Sequence, residues 1–415
     1  MRLLLTNLLV VVILLCGQSL PVAYAEGESS SASLALSGES AILIDAKTGQ
    51  VLYEKNPHEK LFPASITKIA TGIYAIEKGN PDDIVTVSKN ARYEQGTRVY
   101  LAEGEQVTLK KLEYGLLMHS GNDAATAIAE HMSGSSEKFA EELNQFLQET
   151  IGVNETHFTN AHGLHNPEHY TTASDMSKIA AYAMKNPIFR EIVGTNRLPW
   201  DGAEWKSELI NHNKLIRDYE GATGIKNGFT DQAMHTLVGS AKRGETEFIA
   251  VTMKTGSSNY AYKDVTKLLD YGFEHFETKQ VSEAGAIYTN TENTENDSPV
   301  RYKTTKNLFA TIPIGEEPEI HVSANGNLEV TAGSQFISYP LERIAPPVQA
   351  KAALSASKAA EGDGSSGPGP SSTIYYGLLF VWLGLNMFLI SYTVVRSRRR
   401  RNIRRRDDWQ RRAYE

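Results

Sequence analysis

"GIKNGFTDQAMHTLVGSAKR", residues Gly224–Arg243, decides the fold. Its first part opens a strand at Lys226–Asn227–Gly228, and "HTLVGSAKR" pairs back on it. "TEFIAVTMK" follows across Gly244 as a further strand, which makes a second hairpin. Far upstream, Ala41–Asp45 and Gln50–Glu54 are apolar-rich runs around "AKTG", another hairpin, so Lys47–Thr48–Gly49 reads as its turn. Between these strand regions lie helical patterns. "FPASITKIATGIYAIEKGN" carries Ile66, Ile69, Ala70, Ile73 and Ile76 at helical spacing and closes at Gly79, and from about 105 to 190 helices dominate. "YKDVTKLLDYGFEHFE" reads as a closing helix. The expected fold is α+β: an antiparallel sheet flanked by helices, with an all-helical insert, whose two ends meet in one sheet.

Working outward, residues 39–276 form this domain and 277–345 a small all-β domain of short alternating runs. The polar stretch 289–298 within it reads as a loop. Residues 1–25 read as a cleavable signal peptide: a basic Arg2, an apolar run and Ala23-Tyr24-Ala25. Residues 26–38 are a Ser-rich leader expected to be disordered, and 346–372 a flexible Pro/Gly/Ser linker. Residues 373–395 are uncharged and long enough to cross a bilayer as a C-terminal transmembrane helix. Residues 396–415 carry ten Arg against three acidic residues, which favours the cytoplasmic side. The expectation is a single-pass cell-membrane protein, catalytic domain extracytoplasmic and C-terminus cytoplasmic.

Residues 26–372 hold 31 basic and 46 acidic residues, a balance that argues against nucleic acid as partner. The single cysteine, Cys16, lies in the signal, which excludes a disulfide framework and a thiol nucleophile. His157, His162, His165 and His169 invite a zinc reading, but the stretch reads as a loop and no metal is assigned. No cofactor is expected.

Ser65 and Lys68 lie three apart and share a helix face, so the amine reaches the hydroxyl. A desolvated or cation-crowded lysine has a lowered pKa and serves as the base that a serine nucleophile needs. Ser120–Gly121–Asn122 lies on a connection between helices, from which a hydroxyl and an amide project into a cleft. Lys226–Asn227–Gly228 adds a strand with a cation for a carboxylate and a glycine that allows close approach.

These three pieces resemble the Ser-x-x-Lys, Ser-x-Asn and Lys-Thr-Gly set of penicillin-binding proteins and serine β-lactamases. The closer resemblance, over residues 38–345, is to the low-molecular-weight D-alanyl-D-alanine carboxypeptidases of the DD-peptidase/β-lactamase fold. "AILIDAKTGQVLYEKN", "FPASITKIAT", "LLMHSGNDAA", "ETHFTNAHGL" and "LLDYGF" extend it. In the "AEELN" stretch Ala140 stands where class A β-lactamases need their deacylating Glu.

The resemblance implies Ser65 as nucleophile, Lys68 as general base and Ser120 as proton shuttle tuned by Lys226. It implies Asn122 as orienter of the peptide, with Lys226, Asn227 and Gly228 at the substrate. The backbone N–H groups of Ser65 and Phe229 would form the oxyanion hole. The implied partners are peptidoglycan stem peptides ending in D-Ala–D-Ala, from which the last residue is removed, and β-lactam antibiotics such as penicillin, bound covalently. A DD-endopeptidase or transpeptidase on the same fold, and a catalytically impaired peptidoglycan-binding pseudoenzyme, remain open. Asn227 departs from the family's Thr or Ser. Lys254–Thr255–Gly256 has the unaltered tripeptide but falls one strand too late.

Overall fold

A computed structural model describes residues 34–295 and 298–345. The predicted signal peptide, most of the leader, the linker, the 373–395 span and the Arg tail lie outside these residues. Among the described residues no helix is long and apolar enough to cross a membrane.

Strands Ser40–Asp45 (β1), Val51–Lys55 (β2), Ala222–Thr230 (β3), Met234–Arg243 (β4) and Thr246–Thr255 (β5) form one antiparallel sheet in the order β2-β1-β5-β4-β3. The chain's two ends meet where Ile42 lies opposite Val251. Successive strand residues face opposite sides, and both sides are covered. Ile42, Ile44, Val238 and Val251 join the core of the helical insert, while Ala41, Leu43, Leu237 and Ala250 pack under the closing helix. β1 is therefore buried throughout. Each such Ile or Leu contributes about 1.5–3 kcal/mol of burial.

Helix α1 (Lys68–Lys78) follows a short 3-10 turn, Ala64–Thr67, and drives Ile69, Ala70 and Ile73 into the insert's core. Helices α2 (Leu109–Met118) and α3 (Asn122–Ser133) are joined by a three-residue corner containing Ser120. The Thr108 hydroxyl caps α2 and Ser257 caps the closing helix α4 (Ser258–His275), each accepting a first-turn N–H. The third-motif strand begins at Ala222, four residues before Lys226, so the motif lies inside β3 rather than at its start.

Beyond α4, Phe276–Ser282 pairs with Leu308–Pro313, and a small core of Leu308, Ala310, Ile312, Leu328 and Val330 holds the β region together. It rests on the β1–β2 turn. Thr48 Oγ1 lies 3.0 Å from Thr311 Oγ1, and Gln50 exchanges two hydrogen bonds with the Thr311 backbone. Lys47–Thr48–Gly49 is that turn, as expected. The loop expected over 289–298 is a correction: Ile287–Glu295 is a strand paired with Ser298–Lys303, its register shifting between Asn290 and Thr294. A backbone ladder requires no apolar side chains, and threonine favours extended backbone.

Candidate active site

Ser65 sits in the 3-10 turn before α1, directly after Ala64, whose φ is +51°. Lys68, the first residue of α1, is fully buried. Its Nζ lies 3.1 Å from Ser65 Oγ and donates to Asn122 Oδ1 and to the His162 carbonyl, each at 2.6 Å. Burial, then the charge of Lys226, holds the Lys68 ammonium well below the usual lysine range. Asn122 Nδ2 in turn donates to the Gln95 carbonyl. The amide expected to meet substrate therefore also clamps the lysine.

Ser120 is nearly buried and has φ +64°. A left-handed non-glycine residue costs about 1–3 kcal/mol and clusters at functional sites. The helix behind it is anchored by Asp123, whose carboxylate accepts from the Val99, Leu101 and Ala124 amides.

β3 passes beside the Ser65 backbone. A Cβ built on Gly228 would stand 2.8 Å from the Ser65 nitrogen and 3.1 Å from that of Ile66, so no larger residue fits there without displacement. Thr236, opposite Gly228, ties the strands to the turn that carries Ser65 by donating to the Pro63 carbonyl. Lys226 is buried, donates to the carbonyl of Asn227, and is lowered to about 7 by burial. Asn227 Oδ1 is buried without a partner. Phe229, next along the strand, is exposed and lies 4.5 Å from the His235 ring.

The structure thus brings Ser65, Lys68 and Asn122 into contact and Gly228 against Ser65. It places Lys254 elsewhere, at the end of β5, paired with Glu39 at 2.7 Å. The four histidines of the loop go to separate tasks. His162 faces Glu94, His157 the Glu168 carbonyl, His165 the Phe62 ring and His169 the Thr67 hydroxyl.

A family profile described as D-alanyl-D-alanine carboxypeptidase (Peptidase_S11) matches residues 27–257, more than half of the chain. The chain belongs to this D-alanyl-D-alanine carboxypeptidase family. One carboxypeptidase relative, DacF of Bacillus subtilis (strain 168), is 37% identical over 284 residues, 67% of this chain and 72% of that one. Among solved structures, penicillin binding protein 5 from Haemophilus influenzae superposes with a TM-score of 0.66 at 27% identity, over 74% of this chain and 97% of the other. The carboxypeptidase DacD from Francisella tularensis gives 0.64 at 26%, over 75% and 93%.

Several residues around this family's motifs escape sequence reasoning. Gln95 and the His162 carbonyl bind the clamp through backbone oxygens, which no side-chain pattern announces. Glu94 lies beside them. Burial would raise its carboxyl, but His162 and the Thr126 hydroxyl outweigh that and bring it to about 2. Gly163, at φ +86°, lets its loop press on the Ala64 carbonyl and so supports the turn that carries Ser65. His119 and His212 stand near Lys226, and "MHSGN" is the one signal that could have drawn attention to the first of them.

Proposed function

We propose that this chain is a serine-type D-Ala–D-Ala carboxypeptidase acting on peptidoglycan stem peptides, with Ser65 as nucleophile and Lys68 as its base. The contacts of Lys68 carry the reading. A neutral amine has two N–H groups and one lone pair. Asn122 Oδ1 and the His162 carbonyl, both pure acceptors, take the two N–H groups at 2.6 Å. The lone pair then faces Ser65 Oγ at 3.1 Å, and burial favours the neutral form.

Ser65 attacks the carbonyl of the D-Ala–D-Ala peptide bond while Lys68 takes the hydroxyl proton. The oxyanion meets the N–H groups of Ser65 and Phe229. The C–N bond breaks as a proton passes, through Lys68 and Ser120, to the leaving D-alanine nitrogen. Water then releases the shortened peptide from the ester. A β-lactam amide acylates Ser65 by the same attack. Lys226, Asn227 and Asn122 orient the substrate.

Purified protein should take a covalent fluorescent-penicillin label and release D-alanine from a D-Ala–D-Ala peptide, and Ser65→Ala should do neither while melting at a similar temperature. Labelling of Ser65→Ala at the wild-type rate ends the assignment. Labelling without D-alanine release by the wild type supports the pseudoenzyme reading instead.

The chain is further proposed to be a single-pass membrane protein anchored through 373–395, with its catalytic part outside and its Arg tail inside. The supports are the signal-like start, the uncharged run and the arginines behind it. External protease on protoplasts should remove the folded part and spare a tag placed after Glu415. Loss of that tag with the folded part intact reverses the topology.

A further inference from the structure

Away from the three motifs, a cleft opens between α1, α2 and the helix Pro187–Gly194. Its cavity measures about 170 Å³, less than the roughly 300–1,000 Å³ that holds a drug-sized ligand. Ile76, Pro81 and the exposed Ile188 make its apolar wall. Lys110, Glu113 and Tyr114 line it from one face of α2, at helical spacing.

Glu113 is the anomaly. It is 2% exposed, yet no hydrogen bond or ion pair reaches its carboxyl among the described residues. Glutamate is almost never fully buried unless paired. Burial pushes it up to about 7, with the charge of Lys110 pulling the other way. Lys110 itself is exposed and forms no ion pair with it. Asp82 and Glu191 also line the cleft, so three acidic groups stand against one ammonium. The Tyr114 hydroxyl donates to Glu191 Oε1 at 2.7 Å, which leaves its oxygen able to accept.

We propose that this cleft binds an alkylammonium ion, its apolar stem along Ile76, Pro81 and Ile188 and its head on Glu113, Tyr114 and Glu191. An ammonium has three N–H donors and no acceptor, and these three side chains offer acceptors only at the points left open to it. The arriving charge favours the ionised form of Glu113, so the carboxyl releases its proton as the head seats. A metal ion fits less well, because no three His, Cys, Asp or Glu side chains among the described residues come together as ligands. None of the lining residues belongs to the three motifs, so the site stands apart from the carboxypeptidase reading. A free aliphatic amine and a lysine side chain of a polypeptide share this chemistry.

Calorimetric titration of the purified full chain with n-butylammonium chloride, at constant ionic strength, tests the site. Wild type should bind it at least about tenfold more tightly than 1-butanol, which has the stem without the charge. Glu113→Gln keeps the volume and removes the charge, and it should weaken amine binding about tenfold. At pH 7 wild type should release a proton on binding, read as a heat that changes with the buffer's ionisation enthalpy, and Glu113→Gln should not. Equal amine binding by wild type and Glu113→Gln, equal binding of amine and butanol, or no amine binding by wild type overturns the proposal. So does calcium chloride that displaces the amine. If Glu113→Gln does not fold, Ile188→Lys decides: it places an ammonium of the chain's own at the exposed rim and should abolish binding, and unchanged binding refutes the site. Nα-acetyl-lysine methylamide separates the two sources. Binding as tight as that of n-butylammonium supports a polypeptide lysine in the site, and much weaker binding supports a free amine there.

Discussion

On the Ser65 side of the cleft, Lys68 and Asn122 have their polar side-chain atoms engaged, and Asp123 gathers three backbone amides. On the wall around Lys226, which donates to its neighbour's carbonyl, His119 and Asn227 each hold a buried atom with no partner among the described residues. A saturated network holds one geometry and tunes one proton. An unsaturated wall carries the desolvation cost of its unmet atoms in the folded state. The two walls thus differ in how completely their polar atoms are satisfied.

Removing the proposed base attacks the saturated wall. Lys68→Ala should slow penicillin acylation by about 10²–10⁴-fold, measured by stopped-time labelling, and it leaves the Asn122 oxygen and the His162 carbonyl without their donor. A loss below tenfold would assign the proton transfer elsewhere, and the contrast between the walls with it. The next effect falls on the unsaturated wall. Lys226→Ala should reduce kcat/KM for the D-Ala–D-Ala acid by about 10–100-fold, whereas Lys254→Ala, which breaks a surface pair with Glu39, should change it less than twofold. The reverse ranking would move the third motif to Lys254–Thr255–Gly256. Smallest of all, Asn227→Thr should raise that constant by about threefold or leave it unchanged. A steep fall would mean that the Asn amide is itself the principal carboxylate donor.

The sheet and the pairing of Ser65 with Lys68 were legible because each leaves a pattern in the letters. Ile42, Ile44, Ala41 and Leu43 alternate between two cores, and Ser65 and Lys68 keep one helix-face spacing. Lys47–Thr48–Gly49 could be set aside because the flanking runs fit only a hairpin. The polar strand at 287–295 was not legible, since its pairing is a backbone matter and its side chains imitate a loop. Nor was the clamp on Lys68, which uses the carbonyl of His162 and, through Asn122, that of Gln95. His119 and His212 lie 93 residues apart, and their rings meet beside the Met118–His212 backbone bond.

The left-handed backbone at Ala64 and Ser120 sets two aims of protein engineering against each other. Glycine adopts that conformation without a Cβ clash, at an entropic cost of about 0.5–1 kcal/mol against about 1–3 kcal/mol of strain, so Ala64→Gly and Ser120→Gly are substitutions that a screen for heat resistance would reward. The second discards the hydroxyl proposed as proton shuttle, and the first loosens the turn that carries Ser65, the proposed nucleophile. A thermostabilised variant selected blindly would drift toward an inert scaffold, and excluding positions 64 and 120 from such a library keeps the gain in stability from being drawn out of function.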